Sequence, residues 1–364
     1  MKIHIQQHEL SAALERARRI CAGQTLPVTS NVLFVAERDT LTLLSNNLQE
    51  SVTESVPGTI ELPGHVGLPA RKLAAIVATL PAGMVTIEVD AKHTASITAG
   101  ASRIKLMGLD ASEFPIVHCA AAEMTVSSVD LDALQAVLRR CAPAMSDDET
   151  RWVICSTLLE SVGPEMIRLT ASDGRRVVRE TLNASNSGNI RTPINRQAVD
   201  WLCSLKRKAT TVDIEIDEVN VTVATVEQPA LAFTTRRMEG AYPQVDKVIP
   251  ATFEGSALVP RAEFLAALNR VAMLGADSVR LTFERGEVTL SARAADVGEA
   301  SEKLGCQYDG DKYEIAFNSD YLRMPFDTLK CQELFVDLGQ GGTEATVVRD
   351  GGAYVYAVMP MRLS

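Results

Sequence analysis

The chain has 364 residues, of which 46% are hydrophobic and 23% charged, a composition typical of a soluble globular protein with two or three domains. It has no run of 18 apolar residues, and its first residues, MKIHIQQHEL, lack the apolar core of a signal peptide, so neither a membrane span nor secretion is expected. The net charge of −10 argues against nucleic-acid binding unless the basic residues are concentrated on one surface.

Amphipathic segments of helical period recur along the chain. Three such segments begin at His8, Val129 and Pro260. A second helical segment follows each of them after a run of strands, at 68–83, 194–208 and 317–330. Equivalent segments are separated by about 120 residues, which is the size of a whole domain. The order helix, strands, helix, strands is therefore predicted to occur three times.

The segments after each second helix alternate apolar and polar residues, as in MVTIEVD at 84–90, TVDIEID at 211–217 and ELFVDLG at 333–339. Such alternation, interrupted by short turns, predicts antiparallel strands that are buried on one face. We therefore predict an α+β fold of three similar domains, at 1–122, 123–250 and 251–364.

Basic residues are concentrated on the predicted helices. The six segments carry 15 basic and eight acidic residues, a net charge of +7, whereas the rest of the chain carries −17. One interpretation is that Lys and Arg, which are good helix formers, simply cover exposed faces. The other is a helix-covered surface that faces a polyanion, because phosphate contacts require only Lys and Arg within reach.

No catalytic motif is recognisable, since G-x-S-x-G, HExxH, Walker A and GxGxxG patterns are all absent. The five histidines and seven cysteines show no metal-ligand spacing, which predicts free thiols in a reducing cytoplasm, no metal and no cofactor. Asp147, Asp148 and Glu149 form an acidic triplet. It either binds a divalent metal in a nucleic-acid enzyme or lies in a solvated turn.

Several segments together match one known pattern. The most specific are DGRR, within LTASDGRRVV at 169–178, and VMPMRL, within AVMPMRL at 357–363. The others are TLPVTSNVLF at 25–34, LPARKL at 68–73, EFP at 113–115, YPQVDKVIP at 242–250 and FNSDYL at 317–322. Over essentially its whole length the chain thus resembles the bacterial sliding clamps, the beta subunits of DNA polymerase III.

The resemblance implies a head-to-tail homodimer of three-domain subunits that closes into a ring, with helices inside and antiparallel sheets outside. Such a ring encircles duplex DNA without sequence preference, makes the replicative polymerase processive and performs no chemistry of its own. The implied partners are the clamp loader, DNA polymerase subunits and repair proteins, which insert short peptides containing Gln, Leu and Phe. No membrane partner is implied.

The resemblance also implies three sets of functional residues. A partner-peptide pocket between the second and third domains is expected from Ile154, Ser172, Gly174, Arg175, Arg176, Val177, Pro243, Lys247, Val248, Ala345, Val358, Met359, Pro360, Met361 and Arg362. The residues expected to face DNA are Gln24, Arg71, Arg139, Arg140, Arg151, Trp152, Arg196 and Lys206. Those expected at the subunit interface are Lys72, Ile76, Leu80, Ile104, Met273 and Leu274.

Four features depart from the family pattern. Gln24 stands where an arginine is frequent, Arg175 where a histidine is common, and Arg-Trp-Val at 151–153 where adjacent tyrosines occur. Pro325 lies inside a predicted helix, which it should kink or shorten. These departures leave open a main or an accessory clamp, and a peptide-binding scaffold that forms no ring remains an alternative.

Overall fold

A computed structural model describes residues 1–21, 27–37, 40–115, 122–206, 210–227, 229–275 and 278–362. The predicted α+β class is confirmed, and all six predicted helices are present in these ranges. They are α1 (Gln7–Ile20), α2 (Ala70–Thr79), α3 (Leu131–Cys141), α4 (Arg196–Ser204), α5 (Arg261–Ala272) and α6 (Ser319–Thr328). No helix among the described residues is long and apolar enough to cross a membrane.

The chain separates into two compact units. The first contains Met1–Asp132, Ser185–Gly188 and Arg207–Arg237, and the second contains Ala133–Ala184, Asn189–Lys206 and Met238–Ser364. The middle third of the chain is therefore divided between the two units. The reason lies in the sheets, because strands from the middle third extend one sheet in each unit.

The first unit contains a five-stranded and a nine-stranded sheet. Its strands are β1 (Lys2–Gln6), β2 (Asn31–Glu37), β3 (Thr40–Asn46), β4 (Glu50–Val56), β5 (Gly58–Leu62), β6 (Gly64–Pro69), β7 (Met84–Val89), β8 (Thr94–Ala99), β9 (Ser102–Met107), β10 (Met124–Asp130), β14 (Ser185–Ser187), β16 (Thr211–Ile216), β17 (Asn220–Thr225) and β18 (Leu231–Arg236). The strand orders are β5-β1-β7-β8-β9 and β14-β10-β16-β17-β18-β4-β3-β2-β6. All of their pairings are antiparallel, and β18 joins β4 with Phe233 opposite Val52.

The second unit contains an eight-stranded and a four-stranded sheet. Its strands are β11 (Ser156–Ser161), β12 (Met166–Ser172), β13 (Arg176–Asn183), β15 (Arg191–Asn195), β19 (Gly255–Pro260), β20 (Val279–Glu284), β21 (Glu287–Ala294), β22 (Gly298–Gly305), β23 (Tyr313–Phe317), β24 (Glu333–Leu338), β25 (Thr346–Arg349) and β26 (Tyr354–Val358). The orders are β15-β11-β12-β13-β26-β25-β24-β19 and β22-β21-β20-β23. Here β13 joins β26, with Val178 opposite Tyr356.

The helices cover the sheets with their apolar faces. In the first unit, α1 buries Leu10 and Leu14, and α2 buries Leu73 and Val77, in one cluster with the sheet residues. In the second unit, Phe264 of α5 stacks on Phe326 of α6 with ring centroids 4.3 Å apart. Burying side chains of this size contributes roughly 1.5–3 kcal/mol each, so these stripes hold the helices in place.

Pro325 does not end α6, which continues to Thr328. A proline has no amide hydrogen, so the carbonyl of residue 321 loses its helical donor. The Tyr356 hydroxyl replaces that donor, because Tyr356 Oη donates to Tyr321 O at 2.7 Å. Burial raises the pKa of the Tyr356 phenol far above its usual value, so the hydroxyl keeps its proton and remains a donor. One side chain thus stabilises a helix that the sequence predicts to be kinked.

Tyr356→Phe should therefore lower the free energy of unfolding by about 1–2 kcal/mol, because the Tyr321 carbonyl is left without a partner. The measurement is chemical denaturation of the variant beside the natural chain. In a Pro325→Ala background the restored amide satisfies the same carbonyl, so Tyr356→Phe should cost much less there. An equal cost in both backgrounds would contradict the compensation.

Candidate functional site

A groove of about 470 Å³ opens on the second unit. Three segments line it: a short helical turn, Glu149–Ile154, the turn between β12 and β13, and residues 241–248. Apart from Ser172, Arg176 and Val177 at the ends of β12 and β13, this lining lies outside the regular helices and strands, so its position depends on the packing beneath it. Binding grooves are commonly built in this way, from loops on a rigid scaffold.

The floor of the groove is apolar. Ile154, Val177 and Val245 line it and pack in one buried cluster with Tyr242 and Ala345. The lower layer of this cluster comes from Leu158, Val347 and Ala357 on the eight-stranded sheet. The groove therefore presents aliphatic surface that is held from below, which suits a leucine or phenylalanine side chain.

The turn between β12 and β13 is rigid for reasons that its sequence SDGRR explains. Asp173 Oδ1 accepts from the backbone N–H groups of Arg175 at 2.9 Å and Arg176 at 3.1 Å. The Ser172 hydroxyl donates to Arg176 O at 2.8 Å and accepts from the Gly174 N–H at 3.1 Å. Gly174 has φ +90°, which other residues adopt only with strain. Ser172, Asp173 and Gly174 thus each stabilise this turn locally.

The Arg176 guanidinium is occupied within the fold. Its Nε donates to Asp173 Oδ2 at 2.8 Å and its Nη2 to Pro143 O at 2.6 Å. It also lies over the Tyr321 ring, 4.4 Å from the centroid. The family resemblance predicts that Arg176 belongs to the partner-peptide pocket. Arg176 lines the groove, and its guanidinium also ties the turn to α6.

Trp152 forms one wall of the groove and is 45% exposed. Gly240 allows it to lie there, since a Cβ at this glycine would approach the Trp152 ring to 3.1 Å and Val153 Cγ2 to 3.0 Å. Gly240 also has φ +110°. The indole is thus supported on one side and open on the other, the arrangement of an aromatic binding anchor.

Two arginines at the rim remain near solvent. Arg151 Nε donates to Asp148 Oδ2 at 3.0 Å, an exposed pair of small energetic weight. Arg175 is exposed, and within the described ranges its side chain forms no ion pair. The groove is therefore apolar at its floor and basic at its edge.

The chain after β26 leads away from the groove. Val358 pairs with Arg176 across the sheet, and the Met359 N–H donates to Arg175 O at 2.9 Å. Two residues later the Met361 N–H donates to Ala316 O at 2.7 Å. Pro360, Met361 and Arg362 then line a separate cavity of about 640 Å³ with residues of β23 and the turn at 341–343.

Eight of the 15 predicted pocket residues thus line one groove: Ile154, Ser172, Gly174, Arg175, Arg176, Val177, Pro243 and Val248. Ala345 lies buried beneath it, and Lys247 is exposed beside it. The groove also contains Thr150, Arg151, Trp152, Val153, Ala241, Gln244 and Val245, which sequence reasoning did not assign to the pocket. The available signal for this wall in the sequence was a tryptophan beside the apolar pair at 153–154.

The residues expected to face DNA occupy different environments. Arg71, Arg139 and Lys206 are exposed. Arg140 forms a bidentate pair with Glu180, and Arg196 donates to Asp147 and to two backbone carbonyls. Arg151 and Trp152 line the groove, and Gln24 lies outside the described residues. The helix charge available to a polyanion is therefore smaller than the count from sequence.

The residues expected at the subunit interface also differ in exposure. Met273 is 82% exposed, and Lys72 is exposed. Ile76, Ile104 and Leu274 are half-buried. Leu80 is 8% exposed and belongs to the core of the first unit, so little of it is available to a partner.

The acidic triplet is built into local structure. Asp147 pairs with Arg196, and Asp148 accepts from the Thr150 N–H at 3.1 Å, which caps the following turn. The pKa of Asp148 is lowered, chiefly by its hydrogen bond to the Thr150 side chain. Over the part of the chain that the structure describes, no group of three or more His, Cys, Asp or Glu is arranged to hold a metal ion.

Comparison with known proteins assigns this chain to a family. Residues 1–118 match the family described as "DNA polymerase III beta subunit, N-terminal domain", and residues 246–362 match its C-terminal domain. A beta sliding clamp of Caulobacter vibrioides is 30% identical over 335 residues, which cover 88% of this chain and 89% of that protein. The chain belongs to this family.

Solved structures agree with the assignment. A DNA polymerase sliding clamp from Pseudomonas aeruginosa, crystallised with a ligand, superposes with a TM-score of 0.92 at 27% identity over 100% of both chains. A C. crescentus beta sliding clamp superposes with a TM-score of 0.89 at 27% identity, also over 100% of both chains. That clamp carries PEG at a region described as a beta-motif tethering region. The sliding-clamp fold predicted from sequence is confirmed.

Proposed function

We propose that this chain is a DNA sliding clamp that encircles duplex DNA and confers processivity on the replicative DNA polymerase. It would be a non-catalytic subunit of the polymerase III holoenzyme and would act in the cytoplasm, at the nucleoid. The observation that carries the proposal is the match over 100% of the chain to sliding clamps, at a TM-score of 0.92. Asp147 pairs with Arg196 and Asp148 pairs with Arg151. These ion pairs leave little reason to favour a metal-dependent enzyme.

The ring would be a head-to-tail homodimer of subunits with domains at 1–122, 123–250 and 251–364. Among the edge strands that the described residues form are β9 in the first unit and β22 in the second. Unpaired edges are templates for strand addition. Met107 at the end of β9 is 84% exposed and Met273 after α5 is 82% exposed. Exposed methionines near open edges support a contact between the first domain of one subunit and the third domain of its partner.

Contacts with DNA would be weak and exchangeable. Arg71, Arg139 and Lys206 are the predicted DNA-facing side chains that remain exposed, and Arg139 also donates to Cys203 O at 2.8 Å. A few phosphate contacts give salt-dependent affinity without sequence preference. A closed ring needs no more, because it is retained by topology.

The groove would bind the short Gln, Leu and Phe peptides of the clamp loader, polymerase subunits and repair proteins. Its aliphatic floor and Trp152 supply apolar contacts, and Arg151 and Arg175 at the rim supply donors for polar groups. Support comes from the relative that carries PEG at its beta-motif tethering region. Pro360, Met361 and Arg362, which lie after the groove, would extend the contact surface.

Loading on circular DNA tests the ring directly. We expect protein that a matched clamp loader has placed on a nicked circle to survive a high-salt wash, and to leave once a restriction enzyme linearises the DNA. Met273→Asp is the matched variant. The position is exposed in the monomer and should tolerate a charge there, whereas burial in the proposed subunit interface would make the charge costly. This variant should be monomeric by solution scattering and should not be retained.

Equal retention on circular DNA and on linear DNA with free ends would contradict topological binding. A natural chain that is monomeric at micromolar concentration, yet binds partner peptide, would favour the alternative of a peptide-binding scaffold without a ring.

A further inference from the structure

The four-stranded sheet in the second unit buries Leu281 and Leu290 on one face. Its other face holds a polar trough of about 490 Å³. One row of residues crosses all four strands, because Arg280 pairs with Ala316 on one side and Ser291 on the other, and Ser291 pairs with Ser301. Three of these four side chains are small, so the floor of the trough is low and hydroxyl-bearing. Arg280 projects from this floor, and Arg293 and Arg362 also line the trough.

The trough is electrostatically unbalanced. Its lining contains three arginines and one carboxylate, Glu299, which lies opposite Arg293 on the neighbouring strand. Arg280 is 3.9 Å from Glu314, a long and partly exposed ion pair. Neither Arg293 nor Arg362 forms an ion pair with any residue that the structure describes. Guanidinium groups beside serine hydroxyls are well suited to carboxylate oxygens.

The three arginines of the trough lie toward one end of the sheet, whereas the other end carries carboxylates together with Arg285, Lys303 and Lys312. At the other end, β20 and β21 meet in a turn with Glu284 opposite Glu287. Glu314 of β23 lies between the two ends, opposite Thr282. A short acidic segment fits this pattern. An extended polyanion such as a nucleic acid would meet the carboxylates of Glu284, Glu287 and Glu314 as it continued across the sheet.

The chain after β26 connects the trough to the groove. The Met359 N–H donates a hydrogen bond to Arg175 O at the groove, and the Met361 N–H donates to Ala316 O. Arg362 and Ala316 both line the trough. Residues 359 to 362 span about 10 Å when extended. A peptide anchored in the groove therefore reaches the trough with only a few further residues.

We propose that the trough around Arg280, Arg293 and Arg362 is a second binding site for partner peptides, which takes a short acidic segment of Asp or Glu residues next to the apolar anchor. The inference rests on the proposed peptide-binding function of the groove and adds a charge-selective extension to it. Partners whose anchor has an acidic flank bind more tightly than partners whose flank is neutral.

Fluorescence anisotropy with three labelled peptides tests the proposal on the full chain. All three contain the same Gln, Leu and Phe anchor. One carries a neutral Ser/Asn flank on both sides, one an Asp/Glu flank before the anchor, and one the same flank after it. At low salt we expect one acidic peptide to bind about tenfold more tightly than the neutral peptide. Two ion pairs of ordinary surface strength are enough to produce a difference of this size.

Arg293→Glu should abolish that preference without changing the affinity for the neutral peptide. Arg285→Glu is the matched control, because Arg285 is exposed in the turn between β20 and β21, at the end of the same sheet away from the trough. This control should keep the preference. High salt should reduce the preference in the natural chain.

Three results would overturn the proposal. If the neutral peptide binds but neither acidic flank increases affinity, the groove assignment stands and the trough assignment fails. If no peptide binds, both fail. If Arg293→Glu weakens binding of a short single-stranded DNA and leaves the acidic peptide unaffected, the trough is a nucleic-acid contact instead.

Discussion

Trp152→Ala should weaken the binding of a Gln, Leu and Phe partner peptide by on the order of 30-fold, or about 2 kcal/mol, because buried aromatic anchors carry a large share of interface energy. The indole forms a wall of the groove and is 45% exposed in the free protein, so its remaining surface is available to a ligand. Isothermal titration of the variant and the natural chain with one peptide gives the ratio.

Phe253→Ala is the matched control for this experiment. Phe253 is an exposed aromatic residue at 37% and does not line the groove, so its removal should leave peptide affinity unchanged. Because Trp152 is half exposed, the melting temperature of the Trp152 variant should change little. Unchanged peptide affinity with folded Trp152→Ala protein would refute the groove as the partner site.

Glu180→Gln should lower the free energy of unfolding by about 3 kcal/mol, the lower end of the range for breaking a buried ion pair. Arg140 Nε and Nη2 donate to the two Glu180 carboxylate oxygens at 2.6 and 2.5 Å. The Glu180 hydrogen bonds raise the pKa of Arg140 in the natural chain. A guanidinium is not deprotonated in proteins, so in the variant Arg140 stays charged and loses its counterion. Denaturant unfolding with both proteins at equal concentration measures the difference.

Two comparisons define this result. Glu287→Gln removes a carboxylate from an exposed pair with Lys303 and should leave the unfolding midpoint unchanged within error. Arg140→Met combined with Glu180→Leu removes both charges and should recover most of the lost stability. If Glu180→Gln changes the unfolding midpoint as little as Glu287→Gln does, the pair with Glu180 does not stabilise the Arg140 charge. Arg140 would then be available for contact with DNA.

Local features of the fold were predictable because they depend on short-range physics. The turn at 172–176 follows from its own letters: Asp173 and Ser172 accept or donate within four residues, and Gly174 supplies the positive φ. The helices follow from apolar residues at helical spacing, such as Leu10 and Leu14 of α1. Such patterns are readable without knowing which distant segments pack together.

The role of individual charges was not predictable in this way. Arg16, Arg140 and Arg196 were all counted toward a basic helix surface. In the structure they pair with Glu54, Glu180 and Asp147, which are 38, 40 and 49 residues away. A charge count along the chain has no information about such partners. It therefore overestimates the charge that a polyanion meets.

Pro325 shows the same limit for secondary structure. The missing amide predicts a kink or an early end, but the Tyr356 hydroxyl, 35 residues away, satisfies the Tyr321 carbonyl. Trp152 is a comparable case, because its place in the groove depends on Gly240, far along the chain. Propensity is a weak local preference that a single long-range hydrogen bond or contact can override.

By itself, the sequence determined the α+β class, the positions of the helices, the SDGRR turn and the membership in the sliding-clamp family, since each depends on local periodicity or on motifs of adjacent residues. Only the tertiary structure decided which arginines are paired and which are exposed, that Trp152 is a groove wall, and that Arg280, Arg293 and Arg362 converge on one sheet face. These depend on strand register and on contacts between distant segments, where one residue of shift exchanges the two faces of a strand.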